Sequence, residues 1–214
     1  MGFSVFASLL RMSTKYGFSD VCEQLIHSLA GAYPTTWEAY QTADVLGEDV
    51  FGSPKPHPNA VLNLFLEQEV KFAIPLAAYR AALGGFSSLL SNEPDTTLPR
   101  LALASAIYGM DTIQSEVSGL AHSIVCSLGM KECCEGGCVV NGGDADPDQR
   151  MEGLNKIYHV LVKEGKGDVF SLSLGDAVCA DCAAAPEQAY HLWCTMIWEG
   201  FPRIFGVGES WGEL

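Results

Sequence analysis

The chain has 214 residues, enough for one ordinary domain with a substantial apolar core. Apolar residues make up 48% of the sequence and charged residues 18%, which excludes a wholly disordered chain. Acidic residues outnumber basic ones by 26 to 12, and the formal charge is −14. This balance argues against nucleic acid or an anionic membrane surface as a partner, since both require clustered Lys and Arg. No apolar run reaches the length of a membrane span.

The N-terminal segment MGFSVFASLLRMSTK lacks the basic region and the small-residue cleavage site of a signal peptide. The sequence also contains no Asn-x-Ser/Thr glycosylation site. We therefore predict a reducing compartment, the cytoplasm or the nucleus. In such a compartment, closely spaced cysteines indicate metal or redox chemistry more often than disulfides.

Helical periodicity dominates residues 1–128, and the sequence predicts a mainly α fold, a helical bundle. Gly17 separates the first two predicted helices, Asn59 is expected to cap a later one, and Pro75 is expected in the first turn of another. The apolar residues of the first helix are predicted to share one face: Phe3, Phe6, Leu9 and Leu10.

Two further helices are predicted in the middle of the chain. The first begins at Leu101 and is ended by Gly109, after which Asp111 caps a second helix that runs to Leu128. A break near Gly129 then separates a helical part, residues 1–128, from a cysteine-bearing part, residues 129–214. We expect the two parts to form one continuous domain.

The cysteine-bearing part begins with an irregular stretch over residues 131–148. A helix is predicted from Asp148 to Lys163, and a last helix is predicted to start at Pro186 and run to Glu199. Aromatic residues concentrate near the C-terminus: Trp193, Trp198, Phe201, Phe205 and Trp211. We expect this cluster to hold the C-terminus on the core; the alternative is an exposed patch that binds a partner.

Two cysteine pairs carry the metal hypothesis. Cys133 and Cys138 form C-x4-C, and Cys179 and Cys182 form C-x2-C. Zinc takes four thiolate or imidazole ligands at tetrahedral corners, and pairs with two to four intervening residues can each supply two of them. The spacing predicts one structural Zn²⁺ that pins the C-terminal part. Because four thiolates leave no open position for water, no Lewis-acid chemistry is expected there.

Several alternatives to this ligand set remain open. Cys134 can replace Cys133, and His122 or His191 can replace one of the four thiolates, since each histidine lies near another cysteine on a predicted helix. The cysteines can instead be small buried core residues. A redox dithiol at Cys179 and Cys182 is a third reading, although the βαβ pattern of thioredoxin-like proteins is missing from the sequence.

Three common enzyme signatures are missing from the sequence. It contains no H-E-x-x-H, no G-x-x-x-x-G-K-[ST] and no G-x-G-x-x-G motif. We therefore predict a non-catalytic protein.

The C-terminal segment resembles a known family. Residues 178–214 contain C-x2-C, a predicted helix, the run Trp-Glu-Gly-Phe-Pro-Arg-Ile-Phe from Trp198 to Phe205, and a final Trp-Gly-Glu-Leu. This order is similar to the closing segment of fungal BTB/POZ-domain proteins, with C-x2-C, a helix, Trp-x-x-Leu-Pro-x-x-Phe and a terminal Trp-x-x-Leu. Phe201 stands where the family usually has Leu.

Other segments extend the resemblance over nearly the whole chain. Cys133 and Cys138 match an earlier C-x4-C pair of the family, and residues 10–18 resemble the helix that follows the BTB fold. Residues 47–59 are similar to the mushroom-type branch.

The resemblance implies a non-catalytic protein–protein interaction role, in transcription or in ubiquitin-ligase scaffolding. In the family, a BTB fold of mixed strands and helices comes first, and nothing before Leu10 is expected to supply it. The chain thus resembles the region that follows the BTB fold. The alternatives are a thiol or redox enzyme that uses Cys179 and Cys182, and a truncated paralogue without retained function.

Overall fold

The computed structural model describes residues 1–46, 50–91, 93–129, 147–164, 168–171 and 178–214. All the regular structure in these ranges is helical, which confirms the mainly α class. The helices are α1 (Phe3–Tyr16), α2 (Ser19–Leu29), α3 (Trp37–Leu46), α4 (Pro58–Glu67), α5 (Ile74–Leu83), α6 (Gly85–Leu89), α7 (Arg100–Gly129), α8 (Pro147–Glu164) and α9 (Ala180–Ile204). Short 3₁₀ turns occur at Lys71–Ala73, Val169–Ser171 and Trp211–Glu213. Across these ranges, no helix has both the length and the apolar character needed to cross a bilayer.

The chain divides into two compact units, and both boundaries fall within helices. Unit 1 comprises Met1–Met110 and Trp198–Leu214, and unit 2 comprises Asp111–Ile197. The predicted division near Gly129 concerns the cysteine-bearing part, whose first stretch lies outside the described residues, and it stays a prediction.

Unit 1 has a core of helices that pack in sequential pairs. Helix α1 contacts α2, and α4 contacts α5. Side chains such as Leu10, Phe65 and Tyr79 are completely buried there, so apolar burial supplies the main stabilising term. The Arg80 guanidinium lies 4.8 Å from the centre of the Tyr33 ring, a cation–π contact. Pro75 lies in the first turn of α5, as predicted.

The prediction that Asn59 caps α4 is wrong. The cap is His57, whose Nδ1 accepts a hydrogen bond from the backbone N–H of Asn59 at 3.2 Å, and Pro58 takes the first helical position. The fully buried Asn59 amide instead donates to the carbonyls of Ser88, at 2.8 Å, and Thr96, at 2.9 Å. These bonds tie the loop after α6 to the beginning of α4.

The prediction that Gly109 ends a helix is also wrong. Helix α7 is 30 residues long and continues through this position. A Cβ atom at this position would overlap the Phe205 ring, at 2.6 Å from Cδ1. The Phe205 ring is buried, and its carbonyl accepts a hydrogen bond from the hydroxyl of Ser105, also on α7. Gly109 is therefore required by close packing within unit 1 and not by a turn.

The C-terminal end of unit 1 is built around α9 residues that follow Ile197. Pro202 has no N–H to donate to the carbonyl of Trp198, four residues earlier in the helix. The Trp211 indole donates to that carbonyl at 2.7 Å, and its ring stacks on the Trp198 ring with centroids 5.7 Å apart. The tail that follows α9 is thereby attached to the helix.

Aromatic packing extends from this point into the core of unit 1. The Trp198 ring lies 4.6 Å from the Tyr40 ring and 5.0 Å from the Phe201 ring, and Phe201 contacts Tyr79 at 5.4 Å. Trp198, Phe201 and Phe205 are almost completely buried. The expectation that C-terminal aromatic residues hold the tail on a core is confirmed for these residues.

Unit 2 has its own apolar core, formed by α7, α8 and α9. Its buried residues include Leu128, Leu154, Ile157 and Cys182. Helix α8 begins and ends within one residue of the prediction. The prediction that Pro186 opens the last helix is wrong, because α9 begins at Ala180.

We predict that Gly109→Ala destabilises the protein by about 1–3 kcal/mol, because the new methyl group overlaps a ring that cannot move aside in a packed core. Gly119 lies on the same helix, and a Cβ atom added there would meet no other atom within 4 Å, so Gly119→Ala is the matched control. At that position, the gain in helix propensity should stabilise by about 0.5–1 kcal/mol. Urea unfolding measures both; equal effects at the two positions would refute the packing role of Gly109.

We predict that Trp211→Phe lowers the free energy of unfolding by about 1–3 kcal/mol, because the Trp198 carbonyl loses its indole donor. In a Pro202→Ala background the same change should cost less, since residue 202 then offers its own backbone N–H to that carbonyl. A double-mutant cycle by urea unfolding measures this coupling. Strict additivity of the two substitutions would contradict the proposed link.

Candidate functional site

The described half of the predicted zinc site lies at the start of α9. The carbonyl of Cys179 accepts a hydrogen bond from the N–H of Ala183 at 2.9 Å, so Cys179 occupies the N-cap position. Cys182 follows within the first turn. Cys179 is half-buried, whereas Cys182 is only 3% exposed and belongs to the apolar core of unit 2. Helix geometry therefore positions both sulfur-bearing residues at one helix end.

The other half of the site cannot be located in the structure, because Cys133, Cys138 and the alternative ligand Cys134 lie outside the described residues. Within the part of the chain that is described, no group of three or more His, Cys, Asp or Glu residues is arranged to hold a metal ion. The four-cysteine site therefore stays a prediction.

The alternative histidine ligands differ in their surroundings. His122 contacts Cys126 on α7, with Nε2 and Sγ 3.6 Å apart and both side chains exposed. His191 is exposed on α9, whereas the nearby Cys194 is completely buried. The first pair thus brings two possible ligand atoms next to each other, whereas in the second pair the sulfur atom is buried.

Cys194 is a buried thiol of unit 2. Burial raises its pKa to about 12, opposed by a hydrogen bond to Tyr190. The thiol is therefore protonated at neutral pH, and only a thiolate is a competent nucleophile or metal ligand. Cys194 is therefore a buried packing residue of unit 2.

A groove of about 650 Å³ lies on unit 1 between α4, α5, the start of α7 and the turn after α9. Apolar side chains form most of its lining, including Leu62, Ile74 and Leu101. Glu69 and Lys71 are its charged lining residues, and the Ser105 hydroxyl is engaged by the Phe205 carbonyl. The lining residues contain no nucleophile–base pair of the kind that covalent catalysis requires.

Helix α1 carries an exposed apolar stripe, which we call the α1 seam: Val5, Leu9, Met12 and Tyr16. These side chains are 37–60% exposed, although they follow one another at spacings of four, three and four residues. The buried face of the same helix is formed by Phe6, Leu10 and their neighbours. Leu9 was predicted to share one helical face with Phe6 and Leu10, but it is 37% exposed whereas those two residues are buried, because the helix has apolar residues on two faces.

The α1 seam was the main feature that periodicity alone did not reveal. The relevant signal was present, since apolar residues cover too much of the helix circumference for a single buried face. The seam continues into exposed Phe18 and Val21 around the turn to α2. Seven of the fourteen large apolar side chains that are exposed in the described ranges lie in residues 1–21.

Comparisons with family models, with curated proteins and with solved structures found no match to this chain.

Proposed function

We propose that this chain is a non-catalytic protein–protein interaction module of a fungal BTB-type protein. The observation that carries the proposal is the α1 seam, an exposed apolar stripe on a helix whose opposite face is anchored in a core. Apolar surface of this kind marks protein-binding sites, because contact with a partner removes it from water. The stripe overlaps residues 10–18, the segment that resembles the helix following the BTB fold.

We propose further that a structural Zn²⁺, bound by Cys133, Cys138, Cys179 and Cys182, stabilises the C-terminal part. Two of these residues lie at one helix end in the described structure, which supports the pairing of Cys179 with Cys182. A structural zinc site of this type contributes roughly 10–16 kcal/mol of apparent binding free energy to folding. Its role would be to hold the start of α9 to the cysteine-rich stretch, without chemistry of its own.

One observation favours a second candidate function, a thiol–disulfide oxidoreductase. The C-x2-C pair stands at a helix N-terminus, with a half-buried first cysteine and a buried second one. The N-terminal end of a helix stabilises a thiolate, so this arrangement also suits a redox dithiol. The zinc site and the dithiol make opposite predictions for metal content and thiol reactivity.

For the zinc site, we predict one Zn²⁺ per chain in protein purified under reducing conditions, measured by mass spectrometry. Cys179→Ser should lose most of this zinc and unfold at a lower temperature, because three thiolates hold the ion less tightly. Cys22→Ser is the matched control, a half-buried cysteine of unit 1 outside the ligand set. A metal-free wild type whose Cys179 is alkylated rapidly would contradict the zinc site and support the dithiol.

For the interaction role, we predict that a photo-reactive amino acid at position 12, on the α1 seam, forms a discrete crosslinked product in extracts of the expressing cells. The same probe at position 192, which is 63% exposed on α9, is the control. Val5→Asp combined with Tyr16→Asp should remove the product at position 12, because charged groups oppose apolar contact. Gel electrophoresis and mass spectrometry identify the products.

Identical products at both positions, or none at either, would show that the seam is ordinary surface. That outcome would overturn the interaction role and leave the dithiol or a chain without retained function.

A further inference from the structure

The α1 seam has the geometry of one side of a helix–helix interface. Its spacings of four, three and four residues assign Val5 and Met12 to d positions and Leu9 and Tyr16 to a positions of a heptad repeat. At 100° per residue, these four side chains span only about 60° of the helix circumference. A stripe this narrow is typical of a coiled-coil seam, whereas helices that lie on a membrane need a wide apolar face.

The two flanks of the seam differ. On one flank, Phe6 and Ser13 are buried within unit 1, so this side is already covered by the protein's own core. On the other flank lie the exposed residues Ser8, Arg11 and Lys15. A partner helix therefore meets the seam from the side that carries Lys15, whereas Arg11, at a c position, lies farther from the seam.

Charge is distributed unevenly between this flank and the rest of the protein. None of the first 19 residues is acidic, although the whole chain has a formal charge of −14. Arg11 donates to Glu67 through Nε and Nη2 at 2.9 and 2.8 Å, and the Lys15 ammonium lies 5.5 Å from the centre of the Tyr16 ring. Lys15 occupies a g position, where charged residues select the partner helix.

A second copy of α1 fits this surface poorly. Pairing two α1 helices would leave Lys15 without an acidic partner, because α1 has no acidic side chain. An anionic membrane is also disfavoured, because Arg11 is already paired with Glu67 and the remainder of the chain is strongly acidic.

We propose, on the basis of the proposed interaction function, that the α1 seam binds an amphipathic helix of another protein, with aliphatic a and d residues and acidic residues at the flanking positions. The apolar residues of that helix cover the seam, and an acidic side chain pairs with Lys15. Affinity comes from the buried apolar area, whereas the charged contact selects among partners.

The test uses two synthetic peptides with leucine at every a and d position. One carries Glu and the other Lys at all e and g positions, so that each repels its own copies. Binding to the full chain is measured by fluorescence anisotropy at low and high salt. The Glu peptide should bind about three- to tenfold more tightly at low salt, and this preference should shrink at high salt.

The overall charge of −14 favours the Lys peptide, so a preference for the Glu peptide would not arise from non-specific attraction. Met12→Asp should weaken binding of the Glu peptide by about tenfold or more, because it places a carboxylate in the seam. Lys15→Glu should remove the preference for the Glu peptide. Met196→Asp, at an exposed methionine of α9, is the control that should leave binding unchanged.

Several outcomes would overturn the inference. They are equal affinity for the two peptides, no effect of Met12→Asp, a dimer in light scattering that Met12→Asp disperses, or binding to phosphatidylserine-containing vesicles that Met12→Asp abolishes. A crosslinked protein partner at position 12 together with any of these results would leave the interaction function intact and reject only the acidic-helix partner. Absence of both the crosslinked partner at position 12 and the preference for the Glu peptide would reject the interaction function itself.

Discussion

The hydrogen bond from the Trp211 indole to the Trp198 carbonyl is the contact on which the C-terminal end of unit 1 depends. It exists because Pro202 cannot donate to that carbonyl, so a residue outside the helix supplies the donor. The bond places the Trp211 ring against Trp198, which in turn contacts Tyr40 and Phe201. Phe205, one turn beyond Phe201, then requires a glycine at position 109 on the opposite helix. Pro202, the two tryptophans, Tyr40, the two phenylalanines and Gly109 thus form one packed cluster.

Helix α9 carries both features that distinguish the C-terminal part of this chain. Its first turn holds the Cys179–Cys182 pair, and its last two turns hold Trp198 and Phe201. The position of the cysteine pair is compatible with two chemistries, because the N-terminal end of a helix suits both a zinc ligand pair and a redox dithiol. Metal content distinguishes the two, since a fully occupied four-thiolate shell protects its sulfur atoms from alkylation.

The proposed interaction role rests on the different environments of two apolar faces of α1. Phe6 and Leu10 anchor the helix through apolar burial, and the α1 seam presents a second apolar face that is only partly buried. The exposed parts of these side chains leave apolar area in contact with water, which costs free energy unless a partner covers it. Lys15 lies beside the seam on a protein that is acidic as a whole, so the local charge there differs from its surroundings. A partner with an acidic flank would be selected by this difference in charge.

Composition and periodicity were sufficient to predict a mainly α fold, the position of α8 and the burial of the C-terminal aromatic residues, because these follow from local spacing and apolar content. Tertiary contacts decided what local rules could not. Gly109 and Pro186 were predicted to bound helices, yet α7 and α9 run through them because packing outweighs local propensity. Asn59 was predicted as a cap, but its amide instead holds a loop 37 residues away in sequence, through the hydrogen bond to the Thr96 carbonyl. Exposure of the α1 seam was likewise set by which face of the helix the rest of unit 1 covers, and spacing alone cannot distinguish between two apolar faces of one helix.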